Sequence, residues 1–142
     1  MITEKNPEKA KRLIAKETKP IIVEGGDDTF NRKMIEYGRF DILLSPEKGQ
    51  RKNSLRQQDS GLNHFLAKLA AKNRISIGIN IEEIRKLPKK EKAERLAKIR
   101  QNIKICRKAK TKLTVLGNKG SASLLLSLGA SSQQVKEATQ PF

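Results

Sequence analysis

The chain is poor in the residues on which most enzymes and secreted domains depend. Its one cysteine, Cys106, allows neither an internal disulfide nor a cysteine-based zinc site, so a reducing, cytoplasmic setting is expected. Its one histidine, His64, is too few for the multi-metal centres of hydrolytic barrels, which need several converging nitrogen and carboxylate ligands. Asp27, Asp28, Asp41 and Asp59 do not replace the missing nitrogens. No apolar run is long enough to span a bilayer, and "MITEKNPEKAKR" has no apolar core of a secretory signal. Neither a Walker loop nor a dinucleotide fingerprint occurs. The chain is therefore read without catalytic residues, metal or cofactor of its own.

Acids are scarce as well. Fifteen Asp and Glu face 31 Lys and Arg, which gives +16 and a pI near 10.2. Such an excess repels itself unless a polyanion relieves it, and nucleic acid is the natural partner; no membrane is invoked. Hydrophobic residues make up 36% of the chain and aromatics 4%. The 142 residues are enough for one domain with a real core.

What is present is a regular alternation of strand and helix. Asn6, Pro7 and Glu8 read as N-cap, first-turn proline and dipole-matched acid of an opening helix, with Ala10, Leu13 and Ile14 on one face. "PIIVEGGDD" is a buried strand entering a glycine-acid loop, where Asp28 is expected to cap a helix marked by Phe30, Met34 and Tyr37 and closed by Gly38. "FDILLSP" is the second strand. A polar loop leads to a helix capped by Asp59 or Ser60, with Leu62, Phe65, Leu66, Leu69 and Ala70 at helical spacing. "ISIGINI" follows, then a helix from about Lys89 to Lys110 with Leu96, Ile99, Ile103 and Cys106 inward. "KLTVLGNKG" is the fourth strand, and Ser131 with Gln134 forms a capping box for the last helix.

Strands separated by helices imply parallel βαβ units, here about four, or half of a TIM-like (β/α) barrel. On "ISIGINI", Ile75, Ile77, Ile79 and Ile81 must face helices, while Ser76, Gly78 and Asn80 are small or polar. That second face predicts an open sheet, wet or covered by a second copy or another subunit.

The charge has two centres. Thirteen basic residues and two acids, Glu91 and Glu94, lie between Arg85 and Lys112. Few acids are available there for i,i+4 pairs, so phosphates are the expected relief, although a solvated helix face has the same composition. The loop of residues 48 to 58 holds Lys48, Arg51, Lys52 and Arg56 with no acid, at the end of a strand where α/β sheets carry their functional loops. No aromatic interleaves these cations, so backbone and shape recognition of RNA is expected and base stacking is not. A helical wheel started at Leu62 turns His64 and Lys68 away from the core.

The run "DILLSP", then Arg51-Lys52, then "DSGLNHFLAKLAAKN" and "ISIGINI", resembles the family of archaeal ribonuclease P protein component 3, the TIM-barrel-like subunit shared with the eukaryotic enzyme. The likeness runs from about Ile21 to Thr139 and is most specific between Asp41 and Ile81. It implies a metal-ligand-poor, PHP-like barrel domain over 1–142, in a shortened and divergent member. It further implies a non-catalytic subunit that binds the ribonuclease P RNA, acts with protein component 2, and supports removal of the 5′ leader from precursor tRNA. Arg51, Lys52, Asn63 and His64 would then face RNA together with Lys48, Arg56 and Lys68, and Asp59 and Gly61 would organise the loop. A general structured-RNA-binding protein and a metal-dependent phosphoesterase of the same barrel type are the alternatives.

Overall fold

Four short apolar segments pair edge to edge: Ile22–Glu24 (β1), Ile42–Leu44 (β2), Ser76–Asn80 (β3) and Leu113–Leu116 (β4). In the computed structural model, which describes residues 1–48, 59–117 and 121–140, they form one sheet in the order β1-β2-β3-β4, every pair parallel. Ile2 adds a single parallel bridge to Val23 at the β1 edge. Each return is made through helix: α2 (Asp28–Tyr37), α3 (His64–Lys72), then α4 (Ile81–Arg85) with α5 (Lys89–Ala109). A helix α1 (Pro7–Ile14) precedes the sheet, and α6 (Ser121–Ser127) and α7 (Ser132–Ala138) follow it. Sequential parallel order with helical returns is the architecture of an incomplete TIM-like barrel.

The helix-covered face of the sheet holds the core. Val23, Leu43, Ile77, Ile79 and Leu113 pack with Phe30, Met34 and Ile35 of α2, Leu66, Ala67 and Ala70 of α3, and Ile99, Ile103 and Cys106 of α5. Cys106 is wholly buried, which pushes its thiol up to about 12 and makes it a core residue.

The opposite face differs from the open, wet surface expected. Ser76 opposes Ile42 and Gly78 opposes Leu44 in the parallel register, and Ile42, Leu44 and Ser76 are only 1, 1 and 5% exposed. A Cβ on Gly78 would meet Ile42 Cγ2 at 2.8 Å and Leu44 Cδ1 at 2.9 Å. Glycine at this position lets the branched side chains of β2 close over β3. Among the described residues, the centre of this face is thus closed by its own side chains.

Local signals placed most helix ends. Asn6 caps α1 by accepting from Glu8 N and Lys9 N, Gly38 ends α2 at φ 71°, and Ser131 with Gln134 makes the reciprocal capping box of α7. Two caps shift. Asp27, not Asp28, caps α2 through Phe30 N, and Asn63, not Asp59 or Ser60, caps α3 through Leu66 N. Leu13 and Phe65, placed inward by the sequence pattern, are exposed at 43% and 65%.

Candidate RNA-binding face

The carboxyl ends of the parallel strands bring together Glu24, the segment after β2 and the entry to α4. Asn31 of α2 joins the loops there. Its Oδ1 accepts from Gly26 N at 2.8 Å, and its Nδ2 donates to Pro46 O at 3.1 Å and Gly61 O at 3.4 Å. One buried amide thus links the turns after β1 and β2 to the approach of α3. Gly25 lies against the same turn, since a Cβ there would stand 2.7 Å from Pro46 Cα. "GGDD" is accordingly a packed turn and a helix start, and among the described residues no group of acids, histidine and cysteine is arranged to hold a metal.

Charges next to this turn are wired to one another. Lys48 Nζ lies 3.1 Å from Glu83 Oε2 and 3.6 Å from Glu24 Oε2, and Lys5 Nζ lies 3.0 Å from Glu24 Oε1. Arg95 of α5 donates through Nη1 to Glu83 Oε1 at 2.8 Å, while its Nη2 stands 3.8 Å from Glu47 Oε2. Glu47 is 2% exposed, and neither its Oε2 nor Arg95 Nη2 completes a hydrogen bond. Burial therefore outweighs the nearby guanidinium and pushes the Glu47 carboxyl up from its ordinary 4.5 to about 7. Burial would also raise Glu83, but direct hydrogen bonds from Arg95 and Lys48 outweigh it and hold that carboxyl below the ordinary value. Asn80 fixes Glu83 in the first turn of α4 by accepting from its backbone N–H at 3.2 Å.

The α3 entry is built differently. Asp59 Oδ1 accepts from Gly61 N at 3.1 Å, and Gly61 takes φ 79°, a turn that favours glycine. Ser60 is buried against α5, which donates Asn102 Nδ2 to Ser60 O and Gln101 Nε2 to Ser60 Oγ, both at 3.0 Å. Asn63 caps the helix at 2.8 Å, and His64 begins it. Asn63, His64, Phe65, Lys68 and Lys72 are exposed, whereas Leu66, Ala67 and Ala70 are buried.

On α5 the inward stripe is Ile99, Asn102, Ile103, Cys106 and Ala109. Arg100, Lys104 and Arg107 recur at i, i+4 and i+7 on an outer face and line an open groove of about 390 Å³ with Gln101, Leu128 and Gly129. Among the described residues no carboxylate forms a salt bridge with these three cations.

The sequence-predicted site thus divides. Asn63, His64 and Lys68 share the exposed start of α3, and Asp59 and Gly61 shape the turn before it. Lys48, expected to reach RNA, is held by carboxylates. Arg51, Lys52 and Arg56 lie outside the described residues. Sequence reading missed Asn31, Glu47, Arg95 and Asn102, because their roles arise only when distant loops meet.

No family model matches the chain. Ribonuclease P protein component 3 of Methanococcus vannielii is 34% identical over 95 residues, covering 67% of this chain and 38% of that protein. The Methanococcus maripaludis C7 counterpart is 32% identical over 108 residues, 76% of this chain and 44% of the relative. The chain belongs to the ribonuclease P protein component 3 family. A chain in a cryo-EM structure of archaeal ribonuclease P with mature tRNA matches with a TM-score of 0.74 and 26% identity, over 96% of this chain and 61% of that one. The chain therefore spans about two fifths of the length of these curated component 3 relatives.

Proposed function

We propose that this component 3 chain is a non-catalytic protein subunit of ribonuclease P that binds the ribonuclease P RNA and supports removal of the 5′ leader from precursor tRNA. The observation that carries this reading is the sequence similarity to component 3 proteins joined to a cationic surface that meets no carboxylate among the described residues. His64 and Lys68 at the start of α3 and Arg100, Lys104 and Arg107 on α5 offer donors to phosphates and 2′-hydroxyls, the groups by which folded RNA is held. Arg51, Lys52 and Arg56 belong to the same reading through their place between β2 and α3 in the chain. The partners are the ribonuclease P RNA, precursor tRNA within the complex, and the other protein subunits, protein component 2 foremost, in the reducing cytoplasm. The chain acts as one TIM-barrel-like unit over residues 1–142.

Reconstitution tests this directly. Precursor tRNA cleavage by the RNA and the remaining proteins should rise when the chain is added, and the isolated chain should cleave nothing. Cleavage indifferent to the chain would overturn the assignment.

A further inference from the structure

The one large aromatic side chain standing free on the described surface is Phe65, 65% exposed in the first turn of α3. The spacing pattern sends it into the core. The fold sends it out, because Leu62 precedes the Asn63 cap and does not share the helical wheel. With the wheel set by Leu66, Ala67 and Ala70, which are buried, Phe65 falls on the opposite side. His64, Lys68 and Lys72 are exposed on that side too, with Lys68 and Lys72 at i+3 and i+7 from the ring.

A lone exposed apolar side chain needs no explanation. An aromatic ring set among cations does have a matching ligand, one that is flat and apolar on its face and anionic on its flank. We propose that Phe65 is a stacking platform for an unpaired nucleobase of RNA, with Lys68, Lys72 and His64 holding the phosphates on either side. This rests on the RNA-binding function proposed above and deepens it. The mode differs from the backbone-only contact that the cationic loop suggests, since base–aromatic stacking selects single-stranded or bulged RNA over duplex. A neutral protein occupant would gain nothing from the flanking lysines, whereas RNA carries a phosphate beside every base.

The absence of tryptophan makes the test clean, because Phe65→Trp introduces a unique fluorophore able to stack. The full chain would be titrated with a short oligoadenylate and, separately, with a blunt RNA duplex of equal length. Emission of the Phe65→Trp protein should be quenched by the single strand and little changed by the duplex at equal occupancy. Phe65→Ala should weaken single-strand binding by about 5-fold to 100-fold and leave its salt slope intact, because no phosphate contact is removed. Unchanged affinity of Phe65→Ala, an equal loss for both RNAs, or unmoved tryptophan emission in a bound complex would overturn the stack and leave RNA binding standing. If the wild-type chain bound neither RNA, the stack would fall, and reconstitution would decide the ribonuclease P reading separately.

Discussion

Two groups of cations meet along α5, and they have opposite fates. Arg95, 14% exposed at its side chain, is consumed by Glu83 and faces Glu47, in line with Lys48 and Glu24. Arg100, Lys104 and Arg107, beginning little more than a turn further along α5, meet no carboxylate among the described residues and line an open groove. The first group closes the carboxyl ends of the strands, where barrels of this kind usually open a site. The second faces outward. Charge counts treat all these residues alike, so a net charge does not distinguish cations held by carboxylates from cations left facing outward.

Removing Arg95 should break that contrast with the largest effect. Arg95→Ala leaves the part-buried Glu83 without its guanidinium hydrogen bond and Glu47 without its nearest cation, and loss of these charge-assisted contacts should cost about 3 kcal/mol. Chemical denaturation at neutral pH would measure it; a loss below 1 kcal/mol, the ordinary scale of exposed pairs, would show the network to be ornamental.

The pH profile sharpens the same point. The folded chain binds the Glu47 proton more tightly than the unfolded chain, since the carboxyl rises from 4.5 to about 7. Its contribution to stability is complete below pH 4.5, declines as pH rises, and is gone above about 7. Stability should fall by about 3 kcal/mol across that window from this group alone. In Glu47→Gln this component should vanish, so the two proteins converge near pH 4.5 and the variant is the more stable at pH 8. Parallel profiles would contradict the assignment.

A smaller effect probes the support of the exposed face of α3. Asn63→Ala removes the α3 cap and should cost about 1 kcal/mol. It should also weaken RNA binding modestly, as the turn carrying His64 and Phe65 frays. Hydrogen exchange of the Leu66 amide, which donates to Asn63 Oδ1, reports the fraying directly.

Much of the fold was legible because its signals are local. Asn6-Pro7, Gly38 and the Ser131–Gln134 pair act within a few residues of themselves, and the isoleucines of "ISIGINI" needed only strand alternation to be placed inward. The site was less legible for the same reason. The sequence pattern offers Asp59 and Ser60 as caps, but the fold engages Asp59 with Gly61 and Ser60 with Asn102 and Gln101, and the cap falls to Asn63. Misplacing that cap extended the helix backwards through Leu62, and the shifted wheel carried Phe65 inward. Glu47 and Asn31 gave no local signal at all, since each acts on residues brought in from other loops.

The division between wired and outward cations is tested most directly by the salt dependence of RNA affinity. Logarithmic slopes would be compared for the wild-type chain, for Arg100→Ala with Lys104→Ala and Arg107→Ala, and for Lys48→Met. Each lost phosphate contact lowers the slope by about 0.7–0.9. The triple variant should therefore be shallower by about 2–3, while Lys48→Met keeps the wild-type slope. A triple variant with an unchanged slope, or a Lys48→Met slope that falls as far, would contradict the account.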